Sequence, residues 1–423
     1  MPGNRFFQDI LAALSSLTAQ EKRTVLASYL GWMLDAFDFF LLVFVIDDIA
    51  REFKTDVSSV TVAIFLTLAA RPLGALIFGL AADHYGRRPV LMINILSYSL
   101  LEFASGFAPS LASLLVLRSL FGVAMGGEWG VGASLTLETI PAAARGAISG
   151  LLQTGYPSGY LAASIAYFLF YGFLGWRGLF ILGALPAFLV LYIRSQVQES
   201  QVFQTRGQGA DQTTGPMRAK DSFGTLRPYA LRFLYVVLLM TAFNFLSHGT
   251  QDLYPTFLRL QHHFDSQIIG AIAIVYNIGA ILGGLFFGAL SERIGRRRAI
   301  VIAALLAFVL TPLWAYGTSP LALAIGAFLM QFAVQGAWGV VPVHLNELSP
   351  KARRGTFPGF AYQTGNLLAS VNATLQANLA SSNDGNYAFA LAVIAATVAL
   401  VLAALASLGG EAHGISFSAT DES

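Results

Sequence analysis

Asn244, Ser247, His248, Thr250, Gln251, Asp252 and Thr256 crowd one short stretch of an otherwise apolar segment. At 100° per residue, Asn244, His248, Gln251 and Asp252 fall at i, i+4, i+7 and i+8, so one helical face carries amide, imidazole and carboxylate together. His248 stands one turn before Asp252, close enough for a direct or water-bridged pair in which each group sets the proton affinity of the other. Such a pair can change charge near neutral pH. The alternative is a hydrogen-bonded histidine in a packed core. An ionisable side chain at bilayer depth costs roughly 2.5–3.5 kcal/mol on insertion scales and persists where it faces a protein-lined cavity. This face is therefore the first candidate for function.

Other polar residues inside apolar stretches extend the candidate set. Asp35 and Asp38, at i and i+3, share one helical side and either take up a proton or tie their helix to an arginine such as Arg71 or Arg118. Arg118, within LRSLFGVAMGGEWG, can hold a carboxylate by two parallel hydrogen bonds, or can pair instead with Glu128. Arg71, before Pro72, is a weaker alternative, and Arg259 suits an outer vestibule. Glu102 reads as structural. Gln363 and Asn366 flank Gly365, and Asn372 and Gln376 continue their stripe, which serves either a solute or helix association. Tyr156 and Tyr160 line a pathway or pack.

The elements that must carry these residues follow from composition. Of the 423 residues 56% are hydrophobic and 11% charged, with 33 Phe, and mean hydropathy is +0.64. A water-soluble fold could not hide so much apolar surface, so the chain is a polytopic membrane protein. Apolar runs long enough to span hydrocarbon occur near 26–46, 60–82, 90–108, 111–136, 146–169, 176–194, 229–256, 267–290, 299–316, 320–343, 358–379 and 386–408. Twelve transmembrane helices are predicted, an all-α membrane protein. Cysteine is absent, which excludes thiolate metal sites, thiol nucleophiles and disulfides.

Nineteen of the 25 Lys and Arg lie before the first run or in alternate loops, which predicts cytoplasmic termini and a cytoplasmic central loop. Phe6, Phe7, Ile10, Leu11, Leu14 and Leu17 have helical spacing broken by Asp9, which predicts an amphipathic helix on the membrane face and not a signal peptide.

The chain is also a duplication. Asp83-x-x-Gly86-Arg87-Arg88 recurs as Glu292-x-x-Gly295-Arg296-Arg297. Glu138-x-x-Pro141-x-x-x-Arg145-Gly146 recurs as Glu347-x-x-Pro350-x-x-x-Arg354-Gly355, and Gly127-x-Trp129-Gly130 as Gly336-x-Trp338-Gly339. All three share one offset, and Gln153-Thr154-Gly155 matches Gln363-Thr364-Gly365 after a one-residue slip. The offset sets Asp35 and Asp38 against Asn244 and Ser247. Two parallel six-helix halves are predicted: a cytoplasmic segment 1–25, a bundle 26–194, a polar linker 195–228, a second bundle 229–408 and a cytoplasmic tail 409–423.

Two such halves with GLAADHYGRRPV and GALSERIGRRRAI after helices 2 and 8 resemble the major facilitator superfamily over essentially the whole chain. The resemblance implies alternating access, with Asp83, Arg87, Arg88, Glu292, Arg296 and Arg297 as gating elements. Gly155-Tyr156-Pro157-Ser158-Gly159 departs from the signature of proton-linked antiporters, which favours symport or uniport. Asn244-x-x-Ser247-His248-x-Thr250-Gln251-Asp252-x-x-x-Thr256 resembles the helix 7 signature of the fungal lactate-permease type of monocarboxylate/proton symporter, grouped with sialate/proton symporters.

That resemblance implies import of a small carboxylate with protons. Arg118, Asn244, His248, Gln251, Gln363, Asn366 and Tyr156 are the expected substrate contacts, and Asp35, Asp38, His248 and Asp252 the expected proton sites. A short monocarboxylate such as lactate or pyruvate is expected first. A sialic acid, another organic anion or a sugar is the alternative. A membrane enzyme is disfavoured because no P-loop, His-Glu-x-x-His motif or Gly-x-Ser-x-Gly elbow occurs. A nutrient receptor is disfavoured by the short C-terminal segment. No cofactor, metal or nucleic acid is expected, and the chain is expected to act as a monomer in a bacterial inner membrane.

Overall fold

The computed structural model describes residues 15–141, 148, 151–199, 230–348 and 357–411. Most of the expected amphipathic helix, of the linker and of the tail falls outside them, as do the Arg145 and Arg354 loops. Asp83 and Glu292 sit at helical positions whose side chains are also outside the description.

Among the described residues fifteen helices follow one another: α1 (Ala19–Phe44), α2 (Ile46–Glu52), α3 (Val57–Tyr85), α4 (Arg87–Ser105), α5 (Leu111–Thr139), α6 (Gly155–Leu182), α7 (Ala187–Gln196), α8 (Ala230–Gln251), α9 (Tyr254–Leu260), α10 (Ser266–Ile294), α11 (Arg296–Tyr316), α12 (Pro320–Leu348), α13 (Phe357–Ala369), α14 (Asn372–Ser381) and α15 (Tyr387–Leu408). Among the described residues nine stretches are long and apolar enough to cross a membrane. The predicted spans 90–108 and 358–379 are not among them, and most of 146–169 shares one stretch, Leu151–Leu182, with the beginning of 176–194. α4 carries Asn94, Ser97, Ser99 and Glu102, which dilute its hydropathy. The span 358–379 is divided between α13 and α14. α6 merges the end of one predicted span with the start of the next across Gly175, whose φ of 60° breaks the helical path.

Local signals set the helix ends. The Thr18 side chain accepts from the Glu21 backbone while Glu21 returns a bond to Thr18, which caps α1. Asp56 and Asp265 cap α3 and α10 in the same sense through Ser59 and Ile268. Gly86 and Gly295 take φ of 99° and 91° between consecutive helices, a conformation in which any side chain would be strained. These glycines belong to the repeated Gly-Arg-Arg pattern.

The earlier helices pack chiefly among themselves, α1 on α6 and α5, and α3 on α5. The later ones do likewise, α10 on α12 and α11 on α15. The duplication is visible in the packing itself. A Cβ on Gly127 would meet the Phe78 side chain and one on Gly336 would meet Phe287, the same pair one repeat later. The two groups meet where α6 faces α10 and where α3 faces α13 and α14. Part of the polar set singled out in sequence lies at that meeting surface, and part lies within each group.

Candidate functional site

α8 ends at Gln251 for a chemical reason. Pro255 has no N–H to bond the Gln251 carbonyl one turn earlier, and the chain turns through Asp252 and Leu253 before α9 begins. The Asp252 N–H still bonds the His248 carbonyl at 2.9 Å, which keeps both side chains on one face. His248 Nδ1 lies 3.1 Å from each Asp252 carboxylate oxygen. Both are buried. The freed Gln251 carbonyl accepts a hydrogen bond from the Tyr160 hydroxyl of α6, at 3.3 Å, across the meeting surface. Tyr276 of α10 donates to Tyr160 in turn, and Tyr160 stacks on Phe40 with ring centroids 3.5 Å apart.

Across from His248, α1 contributes Phe39, whose ring is 5.8 Å from the imidazole. Phe39 also faces Arg71, whose guanidinium carbon lies 5.6 Å from the ring centre. Arg71 is 1% exposed. Its Nη2 donates to the Met125 sulfur of α5 at 2.6 Å, Tyr362 of α13 lies within electrostatic reach, and among the described residues it forms no ion pair with a carboxylate. Asp35 lies within electrostatic reach of Arg71, and neither of its oxygens has a hydrogen-bond partner. Tyr156 joins this group through Trp32 and Phe40, at ring distances of 5.4 and 5.2 Å.

The structure thus brings Asp35, Arg71, Tyr156, His248, Asp252, Tyr362 and Asn366 to one central zone between the helix groups. A planar cation, an imidazole–carboxylate pair and a free carboxyl can together bind an anion and exchange protons. Arg118 goes elsewhere. Its guanidinium is ion-paired with Glu102 and bonds Ser105 at 2.8 Å, inside the N-terminal group. Asp38 lies beside them, within electrostatic reach of Glu102 and Arg118. The sequence alternative that paired Arg118 with Glu128 is not realised. Arg71, the weaker alternative to Arg118 in the sequence, occupies the central zone.

Several other expected contacts are engaged in helix packing. The Asn244 amide bonds the Met240 carbonyl of its own helix. The Gln251 amide bonds Gln331 at 2.8 Å, Gln331 bonds Thr250, and Gln335 bonds Ser247 at 3.0 Å. Gln376 bonds the Gly249 carbonyl, and Asn366 bonds Gln363. Gln331 and Gln335 escaped the sequence reading, although two glutamines at i and i+4 in an apolar helix were a usable signal. Tyr362 escaped it too.

On the side of α2 and α9 the two groups are latched. Arg259 bonds Asp48 at 3.0 Å and Tyr171 at 3.1 Å, and lies 3.6 Å from Asp47. Tyr171 donates to Asp48 at 2.7 Å, and Gln267 bonds the Phe168 carbonyl. Burial raises the pKa of Asp47, and Arg259 opposes that shift. On the arginine-rich side a cleft lies among Trp129, Gln153, Trp338 and Tyr362. Arg87 and Arg296 bond within their own groups, to the Ala82 carbonyl at 2.9 Å and to Ser291 and Glu347 at 2.8 and 3.2 Å. Glu199 accepts from the backbones of Arg87 and Arg88, and Glu411 from those of Arg296 and Arg297.

These features define a membrane transporter of the helical two-bundle kind. Residues 28–264 and 237–416 match the family model of the Major Facilitator Superfamily, and the chain belongs to that family. A carboxylic acid transporter protein homolog of Saccharomyces cerevisiae is 29% identical over 87% of this chain, which spans only 62% of that protein's length. A probable 4-methylmuconolactone transporter of Cupriavidus pinatubonensis is 31% identical over 82% of this chain and 81% of its own. The sialic acid transporter NanX of Escherichia coli is 27% identical over 84% and 87%. The xylose transporter XylE of Escherichia coli, in a partially occluded inward open conformation, superposes with a TM-score of 0.73 at 16% identity, covering 94% of this chain and all of its own. The chain is a multi-pass transporter and not an enzyme.

Proposed function

We propose that this transporter carries a small carboxylate together with protons into the cell, and that a short monocarboxylate of the lactate or pyruvate type is its substrate. The observation that carries the reading is the central zone itself. Arg71 offers a buried guanidinium that forms no carboxylate ion pair among the described residues, its Nε without a hydrogen-bond partner, with Phe39 facing both it and the His248–Asp252 pair. Relatives named for carboxylic acid and sialic acid transport support an acidic substrate.

Bundles 26–194 and 229–408 rock about this zone, with the arginine-rich face cytoplasmic in a bacterial inner membrane and the Arg259 latch outside. The protein acts as a monomer. With the latch open, a proton enters at Asp35, Asp38 or the His248–Asp252 pair, and the carboxylate docks on Arg71. Tyr156, Asn366 and Gln363 border that position, and Asn244, Gln251 and Arg118 support it from the surrounding packing. Closure is permitted when the buried charges are matched, because an unpaired charge in the occluded state costs several kcal/mol. The arginines after α3 and α10, with Asp83 and Glu292, rearrange as the cytoplasmic side opens.

Uptake of radiolabelled lactate, pyruvate and sialic acid into proteoliposomes under an inward proton gradient tests this reading. Accumulation of lactate or pyruvate that collapses with a protonophore is expected. Sialate-only accumulation replaces the substrate and keeps the coupling, and uptake indifferent to the gradient removes the symport.

A further inference from the structure

Within the N-terminal bundle, away from the meeting surface, Glu128 of α5 is fully buried, and neither carboxylate oxygen has a hydrogen-bond partner. Asp35 of α1 acts on it electrostatically, Tyr98 of α4 feels its charge, and among the described residues it forms no ion pair with a cation. A buried carboxyl without partner is a burden on the fold. Its surroundings are shaped to admit it. A Cβ on Gly31 would lie only 2.4 Å from a Glu128 oxygen, so the carboxyl fills a notch that glycine alone leaves open.

Asp35, Gly31 and Ser28 fall at i, i−4 and i−7 on one stripe of α1, and Glu128, Gly132 and Thr136 at i, i+4 and i+8 on one stripe of α5. The two stripes face each other. The position of a Cβ on Gly132 is 3.4 Å from the Glu128 oxygen and 3.8 Å from Ser28 Oγ. Ser28 Oγ and Thr136 Oγ1 are buried and likewise without partners. The two stripes therefore hold a column of polar atoms with spare hydrogen-bonding capacity. It runs from Asp35, at the central zone, toward the arginine-rich face.

Resting on the proton-coupled reading above, we propose that Glu128 relays the coupling proton from Asp35 toward the arginine-rich face through the interior of the N-terminal bundle, with Ser28 and Thr136 continuing the path. The O–H bond of the Asp35 carboxyl breaks as one forms on the Glu128 carboxylate. Glu128 then releases that proton to water at the hydroxyl pair, and the substrate leaves separately between the bundles. One titrating group thereby handles proton exit while Arg71 handles the anion.

The test compares net transport with exchange in proteoliposomes, using whichever of lactate, pyruvate and sialic acid wild type accumulates, with an internal pH dye. In Glu128→Gln, gradient-driven accumulation and substrate-evoked acidification should fall on the order of a hundred-fold, the scale of losing a positioned proton carrier. Counterflow of label against preloaded unlabelled substrate, which requires no net proton release, should keep the wild-type rate, and Glu128→Asp should restore part of the accumulation. Unchanged accumulation in Glu128→Gln, or loss of counterflow along with it, overturns the relay. Should Glu128→Gln fail to fold, Ser28→Ala leaves the acid in place and should slow net uptake with counterflow intact; equal effects on both overturn the relay. Wild type that accumulates none of the three acids sinks the underlying reading instead.

Discussion

Two buried arginines carry opposite consequences at the residue scale. Arg118 is matched by Glu102 and Ser105, and removing one partner of such a pair strands the other, a loss of about 3–5 kcal/mol. Glu102→Ala should therefore lower the thermal unfolding temperature sharply in detergent. Arg71 forms no carboxylate ion pair among the described residues, with Asp35 only within electrostatic reach, so Arg71→Met removes a desolvated charge while leaving the aliphatic stem's packing. It should hold or raise that temperature while abolishing carboxylate uptake, and a marked fall in stability would show that Arg71 is structural. Asp252→Asn separates binding from titration, since the amide keeps its shape beside His248 but cannot carry the pair's charge. Uphill accumulation should be lost. Accumulation at the wild-type level would remove Asp252 from the coupling scheme.

Breaks and latches decide the behaviour of elements. Pro255 frees the Gln251 carbonyl, and Tyr160 reaches across from α6 to take it. A hydrogen bond of this kind contributes about 1 kcal/mol net, roughly a five-fold bias between states. Tyr160→Phe should shift the population toward separated helix groups by about that factor, read as the distance distribution between spin labels on Phe173→Cys and Leu321→Cys. Both positions are exposed, and the chain has no cysteine of its own to interfere. The α2–α9 latch adds a pH term. Burial holds the Asp47 carboxyl above its ordinary value with Asp48, Arg51, Arg259 and Tyr171 around it. Opening returns it to water and its ordinary value, so the latched form binds more protons. Lowering the pH through the raised value should favour the latched form and raising it should favour separation. The same label pair reports this, and Asp47→Asn should flatten the dependence; a dependence unaltered by that substitution would exclude Asp47.

At the scale of the whole molecule, the repeat is symmetric in shape and asymmetric in charge. Gly127–Phe78 and Gly336–Phe287 place the two helix crossings alike, whereas Asp35, Asp38 and Arg71 are answered one repeat later by Asn244, Ser247 and Ala280. Asp35, Asp38, Arg71, Glu102, Arg118 and Glu128 all lie buried in the first half. His248 and Asp252 bring the second half its own imidazole–carboxylate pair. Composition, hydropathy and the repeat determined the membrane class, the helical architecture and the two halves, because solvent matching and periodicity are properties of the chain read in order. The His248–Asp252 pair was equally legible, since helical spacing alone brings i and i+4 together. Which arginine serves the central zone was decided only by the tertiary structure. Arg71 and Arg118 look alike in sequence, and the difference is that α4 delivers the carboxylate of Glu102 to Arg118, whereas Arg71 meets the Met125 sulfur with Tyr362 within reach. The column through Glu128 was hidden for the same reason: a glycine notch on α1 and a carboxyl on α5 acquire meaning when packing sets them face to face.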